Sequence, residues 1–387
     1  MSTFQFIGYL ILFSLLIDSI LRLVLLCLRA LRSGRKESPE SEPVSELARG
    51  CVVLIAARDE SGTIGSTVAS LGDHLREWPG SSIWVIADRC QDDTAIEAAR
   101  AGAQVAVRSD GRLGKGEVLA WWLDRHESAW QSREAIVILD ADSKLAEGSL
   151  YAMRKAILAG ADAAQAFVAP DAETASGRLA GWSEVLMQRI DDEARKHCGW
   201  SVPLRGTGIV FRGKVLAELA SRLHTLAEDL ELNVLLAARG SHVAFVPEAI
   251  VYDPKPRRMV GAARQRARWL QGHLQVLRDY HREILKALIK GRRGTWFLLW
   301  PLMLRPKILF IGLRLVLLFI SPWIALTGLA MDMIYYLAGA AIVDNPRRYL
   351  LDLLAVPRFG AMWFHSFGIV LNHMIRRGQR GWLRAGR

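Results

Sequence analysis

The chain has 387 residues, 51% of them hydrophobic, and a formal net charge of +11. Apolar bulk with a basic excess fits a protein that meets a membrane and keeps basic residues beside it. The sequence holds no zinc-finger spacing and no aromatic RNA-binding signature, which sets nucleic acid aside. Its four cysteines (Cys27, Cys51, Cys90, Cys198) form no CxxC pair, which argues against zinc or a disulfide framework and fits a reducing cytosol.

Residues 1–36 open with an apolar run from Phe4 to Ile17 that continues from Ser19 to Leu28 around Asp18 and Arg22. The run is too long for a signal-peptide core and lacks a small-residue cleavage site, so it reads as one membrane helix. Asp18 and Arg22 lie four apart on one helical face and are expected to pair. Arg29, Arg32, Arg35 and Lys36 follow, and the positive-inside rule then places the next domain in the cytoplasm of an integral plasma- or inner-membrane protein. Residues 37–49, with Glu37 to Pro43, form a polar linker.

Residues 50–256 alternate strand and helix. Short apolar runs stand at Cys51–Ala57, Ile83–Ala87, Gln104–Val107 and Ala135–Leu139, with helical stretches at Thr94–Ala101 and Glu117–Ala129. That order predicts an α/β fold with a parallel, doubly wound, Rossmann-like core. Further short strands are expected at Ala163–Val168, Ile209–Phe211 and Val243–Val246. Residues 257–304 carry a basic helix and the Trp-rich, interfacial Trp296–Leu304. Within 305–345, Ile308–Met331 is long enough to span despite Arg314, and Met333–Val343 would close a transmembrane hairpin. Residues 346–387 read as an interfacial segment, broken by Asp352, Pro357 and Arg358, and a basic tail (Arg376, Arg377, Arg380, Arg384, Arg387).

The chemistry concentrates at strand ends. Asp140-Ala141-Asp142 closes the apolar run Ala135–Leu139, which places two carboxylates at the carboxyl edge of a sheet, where α/β proteins bind ligands. Carboxylates so close repel unless a cation sits between or beside them, and Mg²⁺ or Mn²⁺ with a substrate diphosphate meets that need. The first strand ends Arg58-Asp59-Glu60 without G-x-G-x-x-G, so a glycine-rich helix start does not hold the diphosphate. Asp88 ends the second strand, where it can accept from a base or a ribose hydroxyl, and Asp92 or Asp93 suits the cap of the next helix. Gly114-Lys115-Gly116 fails the P-loop pattern and reads as a turn aiming Lys115 at a nucleotide. Glu228-Asp229 opens a helix and offers a general base, or simple N-terminal helix charge. Gln265-Arg266-Ala267-Arg268-Trp269 offers an indole to a sugar ring and a guanidinium to a diphosphate, and neighbouring arginines suit anionic headgroups.

In order, Asp88, Asp140-Ala141-Asp142, Glu228-Asp229 and Gln265-x-x-Arg268-Trp269 resemble the membrane-bound family-two glycosyltransferases with a GT-A core, the group of cellulose, chitin and hyaluronan synthases and ceramide glucosyltransferases. The resemblance covers about Cys51 to His273 and includes the flanking membrane segments. It implies that Asp88 contacts uracil, that Asp140 and Asp142 hold a divalent metal, with Asp142 the more direct ligand, and that Asp229 is the catalytic base. It implies that Gln265, Arg268 and Trp269, with Glu228, hold acceptor sugar and donor diphosphate. Arg205-Gly206-Thr207-Gly208 is similar to the family's acceptor segment, and Glu60 and Lys115 complete the donor site. Ala87, Ala56 and Ala227 stand where many members have Asp, Pro and Thr, which sets the chain apart from cellulose synthase.

The implied enzyme is an inverting, metal-dependent hexosyltransferase that moves a sugar from a nucleotide-diphospho-sugar, with UDP the expected nucleotide, to a lipid-linked or membrane-proximal glycan acceptor in cell-envelope glycan or glycolipid synthesis. A processive synthase needs a channel, since polar glycan cannot face lipid, and roughly three spans are few for one in a single chain unless it oligomerises. A silent membrane scaffold or glycan-binding subunit is the non-enzymatic alternative. A membrane nucleotidyltransferase would leave Gln265–Trp269 without a role.

Overall fold

A computed structural model describes residues 3–32, 49–255, 259–291, 294–303 and 307–375. The linker residues 37–48, Arg35, Lys36, Arg257, Arg258 and the basic tail from Arg376 lie outside them.

A long helix, α1 (Thr3–Arg32), precedes the core. The first half of the core runs β1 (Cys51–Ala57), α2 (Ile64–His74), β2 (Ser82–Asp88), α3 (Thr94–Arg100), β3 (Gln104–Arg108), α4 (Lys115–Arg125), α5 (Glu127–Trp130) and β4 (Ala135–Asp140). The second half runs β5 (Lys144–Leu145), α6 (Ser149–Leu158), β6 (Ala163–Asp171), α7 (Ala175–Leu186), a π-turn (Met187–Asp192), α8 (Glu193–His197), β7 (Ile209–Phe211), α9 (Gly213–Ala220), α10 (Glu228–Arg239) and β8 (Val243–Pro254). Among the described residues, seven α-helices follow: α11 (Met259–Asp279), α12 (His281–Lys290), α13 (Thr295–Met303), α14 (Lys307–Val316), α15 (Pro322–Gly339), α16 (Pro346–Leu353) and α17 (Val356–Ile375).

The strands form one sheet in the order β3-β2-β1-β4-β7-β6-β8-β5. Strands β3, β2, β1 and β4 are mutually parallel, as the strand–helix alternation predicts. The prediction of a wholly parallel sheet fails beyond them: β7 runs antiparallel to both β4 and β6, and β5 runs antiparallel to β8. Both faces are covered. In β1, Val52 and Leu54 enter the apolar cluster that includes Trp122, Leu216 and Leu235, while Cys51, Val53 and Ile55 enter the one with Val68, Leu71 and Met153. A strand buried on both faces reads as a continuous apolar run, so its face assignment is invisible in hydropathy.

The C-terminal half departs further from expectation. The run Ile308–Met331 is not one helix. It breaks after a 3₁₀ turn at Leu317–Phe319, and Pro322 opens α15 as its first residue. Proline has no N–H for the preceding turn, so it starts a helix here instead of continuing one. The ten described residues of α14 rise about 15 Å, half the hydrocarbon thickness, so Ile308–Met331 is not the single continuous span expected. Arg314 turns inward to bind Asp332, with Ser19 Oγ at 2.7 Å. Among the described residues, α1 is long and apolar enough to cross a membrane over Gln5–Leu31, and α16 with Val356–Val370 meets the same mark only as a pair bent by 57°. Asp18 and Arg22 face different partners: Lys307 Nζ lies 2.6 Å from both Asp18 oxygens, and the Arg22 guanidinium lies 3.6 Å from the Tyr335 ring centre.

Candidate active site

The carboxyl ends of β1, β2, β4 and β8 and the amino ends of α4 and α10 face one cleft of about 1670 Å³, whose opposite wall is α11. Every expected site residue lines it: Glu60, Asp88, Lys115, Asp140, Asp142, Gly206, Thr207, Glu228, Asp229, Gln265, Arg268 and Trp269. Residues as far apart as Glu60 and Trp269 therefore share a surface, because parallel strands deliver their ends to one edge and α11 closes over it.

Lys115 is the hub. Gly114 holds φ +133°, open to glycine and strained for other residues, and lets the chain turn directly into α4. Lys115 Nζ then lies 2.5 Å from Asp140 Oδ1, 2.7 Å from the Gly206 carbonyl and 3.9 Å from Glu228 Oε1. Burial opposes its charge, but Asp140 and Glu228 outweigh it and raise the Lys115 pKa. Burial pushes the Glu228 carboxyl up to about 7, with Lys115 pulling it down and Asp229 raising it again.

The Asp140 turn is fastened from below. Its backbone N–H donates to Thr207 Oγ1 at 3.1 Å, and Ser143 Oγ shares a 2.9 Å hydrogen bond with the same hydroxyl. Thr207 is buried, and its hydroxyl is engaged with the Asp140–Ser143 turn. The Asp140 side chain remains 40% exposed. Carboxylate oxygens are hard donors suited to Mg²⁺ or Mn²⁺, and Lys115 engages one of the two on Asp140. The residues therefore fit a divalent ion, which Asp140 and Asp142 would hold and whose remaining ligands would come from a diphosphate and water. The described group of three ligand atoms within 4.8 Å lies elsewhere, at Asp59, Cys90 and Asp92, and its carboxylates already accept from Gln91 N, Ser61 N and Thr94 N.

Asp88 is 3% exposed and clasped by two arginines. Arg108 Nη1 and Arg89 Nη2 each lie 2.7 Å from one of its oxygens, with Arg89 Nε at 3.1 Å. Arg89 holds φ +51°, as Asp59 holds +54°, so two non-glycine residues at this edge keep a left-handed backbone. Sequence reading missed both Asp88 partners, although Arg108 stands directly opposite Asp88 in the β2–β3 register.

Behind the carboxylate pair, α11 is docked tightly. A Cβ on Gly272 would lie 2.7 Å from Ala227 Cβ, and Gln275 Oε1 accepts from Leu226 N at 3.0 Å. Those two contacts join the Gln265–Trp269 helix to the loop that presents Glu228-Asp229. The same loop is held by Glu231, which accepts from His224 N, Thr225 N and the Tyr280 hydroxyl. Trp269 keeps 42% of its surface exposed. A second cluster that sequence reading missed borders the cleft: Lys255 Nζ lies 2.6 Å from both Glu184 Oε2 and Asp253 Oδ2. Burial pushes Asp253 up to about 6 against the pull of Lys255. Its signal was available, since Asp253 stands near the end of β8 as Asp140 ends β4.

Comparison with known proteins places this architecture. The profile of Glycosyl transferase family group 2 matches residues 135–343, more than half of the chain. The probable glycosyltransferase YdaM of Bacillus subtilis is 23% identical over 244 residues, which are 60% of this chain and 57% of that protein, so the match spans less than two thirds of this relative's length. The mannosyltransferase PcManGT from Pyrobaculum calidifontis, solved with GDP-Man and Mn²⁺, superposes with a TM-score of 0.55 at 18% identity over 96% of this chain and all of that one. The shared fold is the GT-A type, and by the family match the chain belongs to glycosyl transferase family group 2 and is a glycosyltransferase.

Proposed function

We propose that the protein is a membrane-bound, inverting hexosyltransferase that moves a sugar from a nucleotide-diphospho-sugar to a lipid-linked or membrane-proximal glycan acceptor, in cell-envelope glycan or glycolipid synthesis. The observation that carries this reading is the single cleft shared by Asp140, Asp142, Lys115, Glu228, Asp229 and the Gln265–Trp269 face of α11. The catalytic domain faces the cytoplasm, with α1 as anchor. We read the donor as UDP-linked. The GDP-Man and Mn²⁺ of the Pyrobaculum structure support a metal and a nucleotide sugar in this fold and keep GDP in the donor panel.

Asp140 and Asp142 would hold Mg²⁺ or Mn²⁺, which when bound neutralises the donor diphosphate. Lys115 restrains Asp140 and adds positive charge beside the leaving group, and Arg268 clamps the diphosphate. Asp88 has about one acceptor position left after three N–H donors, enough for one bond from the nucleobase. Glu60 closes the donor end. Trp269 presents its indole to the acceptor sugar beside Gln265, Glu228 and the Gly206 backbone, and Thr207 acts as a positioning residue for Asp140. Asp229 takes the proton from the acceptor hydroxyl. The freed oxygen attacks the anomeric carbon, the bond to the diphosphate breaks on the opposite face, and nucleoside diphosphate leaves with the anomeric centre inverted.

We read single transfer over polymerisation because polar glycan needs a protein-lined path through lipid. Chromatography of products made with a radiolabelled donor tests this: one added sugar per acceptor supports it, and a ladder of lengths overturns it.

A further inference from the structure

The cleft does not end at the sheet edge. It continues as an apolar arm between the C-terminal helices, lined by Ile308 and Ile311 of α14, Met333 and Leu337 of α15, Leu353 of α16 and Trp363 of α17. Met333 and Leu337 are also 59% and 54% exposed, so the arm opens onto the molecule's outer face. Exposed apolar side chains also stand on the helices around it: Phe6, Leu10 and Phe13 of α1, Trp323 and Ile334 of α15, and Phe364 and Phe367 of α17. Apolar side chains exposed in such number suit contact with a membrane, and in that setting the arm is a side door from hydrocarbon to the reacting groups.

A cation stands where the arm meets the polar cleft. Arg266 is 5% exposed and lines the same cavity. Its guanidinium carbon lies 5.2 Å and 5.5 Å from the ring centres of Phe359 and Trp363, and Nη1 lies 3.4 Å from Met362 Sδ. Burial lowers its pKa to about 10, opposed by Glu184, so it stays a cation at neutral pH. A planar cation held by aromatic rings at the inner end of an apolar channel matches a ligand with an anionic group at the end of a hydrocarbon chain. Phosphate suits this fork better than a neutral sugar.

We propose that the acceptor is an anionic lipid whose phosphate joins the hydrocarbon chain to a hydroxyl-bearing head, with the chain in the arm, the phosphate at Arg266 and the hydroxyl directed to Asp229. This rests on the transferase reading above and deepens it by naming the acceptor class. Continuity of the arm with the Asp229 cleft favours an acceptor over a bilayer lipid that merely coats the helices.

The test is equilibrium binding of pyrene-labelled phosphatidylglycerol to the full-length protein in neutral detergent micelles. Competitors are phosphatidylcholine, diacylglycerol and chain-free glycerol phosphate. The expected order is phosphatidylglycerol at least tenfold tighter than phosphate-free diacylglycerol, with phosphatidylcholine, which keeps the phosphate but replaces the hydroxyl-bearing head by a cation, in between and chain-free glycerol phosphate competing only weakly. Arg266→Met should cost roughly 10- to 100-fold in phosphatidylglycerol affinity, the span for a hydrogen bond to a charged group, and abolish the preference. Ile311→Trp, which plugs the arm, should weaken every lipid alike. Nucleotide-sugar binding, measured on the same samples, reports that each variant is folded. Equal affinity of the wild type for phosphatidylglycerol and phosphate-free diacylglycerol, or an unchanged preference in Arg266→Met, overturns the proposal. Lipid preference without any nucleotide-sugar binding would instead overturn the transferase reading and leave the lipid site standing.

Discussion

Asp88 and Asp140 end two strands that flank β1 on the same sheet, and their surroundings could hardly differ more. Asp88 is sealed inside a clasp of Arg108 and Arg89. Asp140 keeps 40% of its side chain open and meets one lysine. The strand edge supplies the position of each carboxylate, and the loop cations decide whether its charge is consumed inside the fold or kept for a ligand. One aspartate is chiefly part of the frame and the other is chiefly available for chemistry.

The comparison breaks or sharpens under substitution. The largest effect belongs to the proposed base: Asp229→Asn should lower turnover by roughly two to four orders of magnitude with little change in donor binding, and near-normal turnover would remove Asp229 from the mechanism. Asp142→Asn should lower turnover by about two to three orders of magnitude, the scale of lost charge stabilisation at a leaving group. Its thermal midpoint should stay close to wild type, as for a partly exposed side chain outside the packed core. Asp88→Asn should invert that pattern. It leaves two guanidinium groups facing a neutral amide, and breaking such a buried cluster costs about 3–5 kcal/mol of stability. Denaturant titration in micelles reads that loss directly, and a stable Asp88→Asn protein with only a raised donor KM would make Asp88 a binding residue first.

The smallest expected effect concerns Glu228 in the metal-free protein. Its folded pKa, about 7, lies above the ordinary 4.5 because burial disfavours the carboxylate. A carboxyl raised in this way contributes stability that is fully present below pH 4.5 and is lost as pH rises through 7. Glu228→Gln mimics the neutral form, so it should match wild type near pH 4 and be more stable by about 2–3 kcal/mol at pH 8. Parallel pH–stability curves for the two proteins would contradict this.

Much of the frame was legible in the sequence. Apolar runs closed by Asp or Arg marked β1 to β4 to within a residue or two, most firmly for β1 and β4, which are buried on both faces and have little freedom in composition. Strand direction was not legible: Ile209–Phe211 reads the same in either sense, and its reversal follows from the α7–α8 excursion between β6 and β7. Pro322 did announce the broken helix in the C-terminal region, but the hydropathy of Ile308–Met331 masked it. The grouping of Asp140, Glu228-Asp229 and Gln265–Trp269 was foreseeable from their order. The cations that tune them were not. Arg108, Lys255 and Arg266 gain their meaning from register and helix packing, which no local pattern records.

The most direct test of the central claim is nucleotide release by the detergent-purified protein with a panel of UDP- and GDP-sugars in Mg²⁺, Mn²⁺ or EDTA, beside Asp142→Asn. The account predicts release from one donor that requires the metal and vanishes in the variant. Release that is indifferent to chelator and to Asp142→Asn would contradict it.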